Sequence, residues 1–262
     1  MEIFGYLASV CIGIILGLLG GGGSILSIPL LVYCFHLDVV MATAYSLFIV
    51  GVTSLAGAIP KYRENRVNLQ TGVVFGIPSI VAIFATRKWI VPAIPDVIFQ
   101  VGDFSLTKRL MILGLFGILM ILSSVAIIRR RGEIETEDQR FQHGLVVIEG
   151  VLIGFLTGLV GAGGGFLIIP ALVLLTGLPF KTAVGTSLFI IAINSLTGFL
   201  GDVLNYSMDW PFLLTITGLA VAGILVGNAW SRRARGPQLR KAFGWFTLAM
   251  GTFMVIRELT QA

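Results

Sequence analysis

Along most of this chain, apolar residues come in long unbroken runs rather than in the alternation of strands or the stripes of soluble helices. Six runs, roughly 39–59, 68–86, 109–128, 182–200, 210–230 and 242–257, approach or exceed the ~18–20 residues a helix needs to cross a bilayer. Two further regions, roughly 3–36 and 145–178, are as apolar but are broken by glycines. The first break is Gly20-Gly21-Gly22-Gly23-Ser24, and the second is Gly161-Ala162-Gly163-Gly164-Gly165. Each region reads as a longer segment a, the glycines, and a shorter segment b. At 1.5 Å per residue, Ile3–Leu19 would reach about 25 Å and Ile25–Phe35 about 17 Å. Segment b is too short for a ~30 Å hydrocarbon core, and Pro29 and Pro170 are expected to end or kink it. The stretch 87–109, with Trp89, Pro92, Pro95, Phe99 and Phe104, is expected to be a cap or short helix at the outer interface.

The pattern occurs twice. Pro29 and Pro170 lie 141 residues apart, and that offset holds without a gap from the glycines through the next run. Gly17, Gly20, Gly22, Gly23, Leu26, Ile28 and Leu31 meet identical residues, and so do Ala42, Ser46, Leu47, Phe48, Ser54 and Gly57. The chain is therefore expected to be an all-α polytopic membrane protein of two halves, 1–129 and 141–262, joined by a charged cytoplasmic linker, 130–140.

Composition supports this reading. Charged residues make up only 12% of the 262 residues, against ~25% in soluble domains. No β-barrel pattern of alternating segments of about ten residues appears. The start, Met1-Glu2-Ile3, lacks the positive residues of a signal peptide, so the first run is expected to remain as a helix. Arg129, Arg130 and Arg131 place the linker inside by the positive-inside rule. If each a–b pair is a hairpin returning to its starting side, only Arg87, Lys88, Lys108, Arg109 and Arg257 of the 18 Lys and Arg residues fall outside. Both termini then lie on the outer side, and the halves are inverted repeats. On this topology Asp202 and Asp209 bracket a short outer loop and are expected to be solvated.

A break inside a membrane helix exposes backbone donors that lipid cannot satisfy. The new helix after it begins with unpartnered N–H groups and partial positive charge, and such ends receive anions in transporters. The glycines would also admit a ligand close to the backbone; their competing role is tight helix packing. Candidate substrate-binding residues are therefore Gly20, Gly21, Gly22, Gly23 and Ser24 with Gly161, Gly163, Gly164 and Gly165. The inverted halves would bring the two breaks together near the midplane. Ser46 and Thr53 on the next run, and Thr186, Ser187 and Asn194 on its counterpart, add hydroxyl and amide donors; the competing role for these is interhelical hydrogen bonding. Glu149 is a candidate for proton coupling, with snorkelling to the interface as the competing reading. Lys61, Arg63 and Arg66 could draw an anion to the mouth, although topology alone accounts for them.

No nucleophile–histidine pair, paired carboxylates or metal-spaced ligand set is present, and Gly20–Gly23 lacks the Gly-Lys-Ser/Thr of a P-loop. No enzymatic activity, cofactor, metal or nucleic-acid partner is expected. The expected partners are a small anion and the bilayer, and nothing indicates a homo-oligomer.

At these residues the chain resembles the TauE/SafE family of sulfite exporters. The likeness lies in the paired Gly-Leu-(Leu/Val)-Gly-x-Gly-Gly…Pro stretches and the Ala-x-x-x-Ser-Leu-Phe runs, Ala42–Phe48 and Ala183–Phe189. It extends through the basic loop from Gly57 to Asn68. The resemblance implies a secondary carrier in the bacterial inner membrane, exporting small sulfur-containing anions such as sulfite or organosulfonates. A passive anion channel, or an uptake permease for another small anion, is the alternative. One departure is Asn68, where an acid comparable to Asp209 is expected.

Overall fold

The computed structural model describes residues 2–19, 22–101, 104–129 and 143–260. Its elements follow the apolar runs. Helix α1 (Glu2–Leu19) and α2 (Gly22–Tyr33) flank the first break; α3 (Val39–Arg63) and α4 (Leu69–Ala85) follow. Helix α4 passes through a π-helical turn, Thr86–Ile90, into the short α5 (Val91–Ala93). After the hairpin strands β1 (Val97–Val101) and β2 (Phe104–Thr107) come α6 (Lys108–Arg129), α7 (His143–Val160) and α8 (Gly165–Leu175). The chain closes with α9 (Phe180–Val203), α10 (Trp210–Arg233) and α11 (Gly236–Leu259). Among the described residues, 5 helices are long and apolar enough to cross a membrane. Lipid-type faces carry exposed apolar side chains such as Val81 and Ile148, as expected where the solvent is itself apolar.

Two local expectations are revised. Helix continues through residue 93, and residues 97–101 and 104–107 pair as antiparallel strands with Val101 opposite Phe104. Val, Ile and Phe have high strand propensity and suit a two-stranded ribbon, which the helix-centred reading missed. Of the two alternatives at the prolines, ending is ruled out and continuation stands: Pro29 lies inside α2 and Pro170 inside α8.

Packing repeats at the 141-residue spacing seen in the sequence. Helix α1 packs on α10 and α7 on α4; α3 crosses α9, α6 lies on α11, and α2 touches α8. A β-carbon on Gly13 would overlap the carbonyl of Ala220, and one on Gly154 would meet that of Ser79. Gly17 sits against Gly227 and Asn228, and Gly158 against Thr86. These helical glycines serve close backbone approach, as small residues do in membranes. Phe35, just past α2, lies against Gly5 of α1, so α2 runs back along α1.

Helix starts explain the Asn68 departure. The Asn68 side chain accepts from Thr71 N–H at 3.0 Å and caps α4, while Asp209 accepts from Phe212 N–H at 3.2 Å and caps α10. Asn and Asp cap about equally well. We expect Asn68→Asp to leave thermal stability unchanged and Asn68→Ala to cost about 1 kcal/mol, read from unfolding in detergent.

Candidate functional site

The second break brings backbone donors, charge and hydroxyls together. Helix α7 ends as Gly161 N–H donates to Thr157 O at 2.7 Å. Gly161, Gly163 and Gly164 then adopt positive φ values of 76°, 66° and 72°, a region costly for any residue with a β-carbon. Gly164 caps α8 without a side-chain bond. The Leu167 and Ile168 N–H groups both donate to Gly164 O, at 2.9 and 2.8 Å. The Gly165 and Phe166 N–H groups find no acceptor among the described residues. The positive end of α8 is thus open.

Side chains from four other elements close around it. Gly163 lies against Ser195 Oγ and Val50, and Gly164 against Thr157 Oγ1. Both hydroxyls are buried and have no hydrogen-bond partner among the described residues. Arg87, in the π-helical turn, is 0% exposed and reaches Gly161 with Nη2. Its Nη1 donates to Thr43 Oγ1 at 3.0 Å and pairs with Asp202 Oδ2 at 3.3 Å, while Nη2 and Nε have no hydrogen-bond partner among the described residues. Such a pair ordinarily closes to ~2.7–2.9 Å when its geometry is good. The guanidinium is therefore neutralised but not satisfied. π-Helical turns of this kind are frequent at functional sites.

The expected positions of two charges need correction. Arg87 is not an outer-loop residue marking topology, and Asp202 is not solvated. Both are fully buried, on the turn after α4 and at the end of α9. The apolar run at 68–86 is extended by helix through residue 93, so Arg87 lies inside the helix rather than beyond it. A signal was present: carried past Gly57, the 141-residue spacing sets Arg87 opposite Asn228, which still falls within the 210–230 run.

The other candidate residues are placed as follows. Gly20 and Gly21 lie outside the described residues, and Gly22, Gly23 and Ser24 form the first turn of α2. Ser46 Oγ lies 2.6 Å from Ser27 Oγ, joining α3 to α2. Thr53 donates to Ile49 O at 2.6 Å and Ser187 to Val184 O at 2.9 Å, both within their own helices. Thr186 Oγ1 accepts from Asn68 N–H at 2.9 Å, and Asn194 Nδ2 donates to Ser79 Oγ at 2.6 Å. The Asn194 Oδ1 has no hydrogen-bond partner among the described residues. Glu149 is half-buried on α7 and has no ion-pair partner among the described residues. Ser195, Thr157 and Arg87 are the groups the second break gathers beyond those expected.

Spanning helices around a buried, incompletely satisfied charge define a multi-pass membrane protein with the build of a transporter. Residues 6–254 match the family described as sulfite exporter TauE/SafE, and the chain belongs to that family. It is 28% identical to a probable membrane transporter protein of Xylella fastidiosa (strain Temecula1), over 94% of this chain and 92% of the relative. The probable membrane transporter protein YunE of Bacillus subtilis is 28% identical, with 86% and 88% covered. A third probable membrane transporter protein, from Methanocaldococcus jannaschii, is 28% identical, with 82% and 79% covered. No solved structure matches the chain.

Proposed function

We propose that the protein is a secondary transporter that exports a small sulfur-containing anion, such as sulfite or an organosulfonate, across the bacterial inner membrane. The observation that carries this reading is Arg87. Its Nη2 and Nε are buried without hydrogen-bond partners among the described residues, and Nη2 lies against Gly161, the first glycine of the second break. A charged donor in an apolar interior is costly unless something accepts from it. An oxyanion at the α8 N-terminus would accept from Arg87, from the free backbone N–H groups, and from Thr157 and Ser195. The family supports the sulfur oxyanion as substrate.

The reciprocal contacts of α1 with α10 and of α7 with α4 support two halves, 1–129 and 141–262, arranged as inverted repeats. Alternating access would then be a rocking of one half against the other around the anion. Counterflow tests the carrier reading. Proteoliposomes loaded with unlabelled sulfite are expected to accumulate external ³⁵S-sulfite transiently above its equilibrium level. A monotonic approach to equilibrium would instead indicate the channel, and no entry would exclude sulfite.

A further inference from the structure

The helix ends that carry Lys61 and Ser231 hold a second charged centre that the Arg87 site does not use. Lys61, on the last turn of α3, is 4% exposed, and its Nζ donates to Ser231 Oγ of α10 at 2.7 Å. It lines a small pocket, partly open to solvent, together with Arg66, Lys181, Ser231 and the apolar Leu18, Val184 and Leu239. Leu18 stands on the last turn of α1, so this pocket adjoins the end of α1 as the Arg87 centre adjoins the end of α7.

The cavity carries an excess of positive charge. Lys61, Arg66 and Lys181 all face it. The carboxylate nearby is Glu64, which already pairs with Arg232 at 2.7 Å and with Arg66 at 3.5 Å. Among the described residues, Lys61 has no carboxylate within ion-pair distance, and Arg66 Nη1 is buried without a hydrogen-bond partner. The backbone fixes this arrangement. Arg66 N–H donates to Lys61 O at 3.0 Å, and Gly185 of α9 packs directly on the Arg66 carbonyl.

Residue 61 lies 141 positions before Asp202, and Asn228 lies 141 after Arg87. Asn228 accepts through its carbonyl from Ser231 Oγ at 3.1 Å, so it stands beside the Lys61 contact. The two centres therefore occupy corresponding places with different charge. The Arg87 centre carries its own carboxylate, whereas the Lys61 centre has a lysine where that carboxylate would be. A buried cation without a counter-ion is strongly disfavoured, and an entering anion would supply one.

We propose that the Lys61–Arg66–Lys181 cavity is a second binding site for a free small oxyanion, a station at the opposite mouth from the Arg87 site. The role as a station rests on reading the protein as an oxyanion carrier; the binding itself does not. The shared chemistry is an oxyanion, which a lipid phosphate could also present.

Equilibrium dialysis of ³⁵S-sulfite against purified protein in phospholipid-free detergent tests this. We expect two labelled ions per chain for wild type, one for Lys61→Met, and one for the double variant R87M/D202N. Lys181→Met, at a half-buried position, is expected to weaken one of the two sites about fivefold, as for a single charge in a wet mouth. A wild-type count of one, unchanged by Lys61→Met and Lys181→Met, would overturn the proposal. So would a wild-type count that falls from two in phosphatidylcholine nanodiscs to one in phosphatidylglycerol nanodiscs, since a headgroup would then be the occupant. Absent counterflow with a Lys61-dependent ion still bound would count against the carrier reading and for this site.

Discussion

Arg87→Met is expected to destabilise the protein and abolish anion binding at the second break, while R87M/D202N recovers the stability but not the binding. The single variant leaves the Asp202 carboxylate fully buried opposite an apolar side chain. Removing one partner of a buried ion pair typically costs about 3–5 kcal/mol, because the other charge is left uncompensated. Neutralising both partners removes that penalty, and such replacements are often neutral in stability. Binding responds differently. Arg87 offers Nη2 and Nε, both without hydrogen-bond partners among the described residues. Charged hydrogen bonds contribute about 1.5–3 kcal/mol each, so losing the guanidinium should weaken anion affinity by roughly 100-fold or more. Thermal unfolding in detergent and equilibrium sulfite binding read the two effects separately. A purely structural Arg87 would let the double variant bind like wild type.

Gly161→Ala is the second large effect. The position has φ 76° and its β-carbon would collide with Arg87 Nη2 and Thr43. The left-handed backbone alone costs about 1–2 kcal/mol for a residue with a β-carbon. The collision would also push the guanidinium from the α8 N-terminus, so affinity should fall together with melting temperature. Gly218→Ala provides the control. Gly218 lies in α10 with nothing within 4 Å of its built β-carbon, and binding and melting should both stay at wild-type levels. Equal behaviour of the two variants would mean that the second break tolerates a side chain and does not hold Arg87 in place.

The helices were legible because lipid-facing and core-facing residues are both apolar, so each span is a continuous run, such as 39–59 within α3. The second break was legible because three of its glycines take a backbone conformation that other residues avoid. The β1–β2 hairpin was hidden by the proline-rich run before it, which suggested only irregular structure. Arg87 was hidden for a different reason: a basic residue next to Lys88 at the edge of an apolar run is the usual mark of a loop. Its burial depends on Asp202, 115 positions later in the chain, and on the glycine that makes room for it. Asp202 looked solvated because it stands near the end of its run, yet its pairing with Arg87 keeps it inside. The hydroxyls and amide of Ser46, Thr53, Thr186, Ser187 and Asn194 were legible as buried polar positions. Their partners, such as Ser27 and Ser79, were not, since the sequence does not state which helix faces which.

The measurement that bears most directly on the Arg87 site is anomalous diffraction from crystals soaked in selenite, the selenium counterpart of sulfite. A selenium peak within hydrogen-bonding reach of Arg87 Nη2, at the N-terminus of α8, is expected, and it should vanish in R87M/D202N. Selenite bound elsewhere in the protein, with nothing at Gly161–Gly165, would contradict the account.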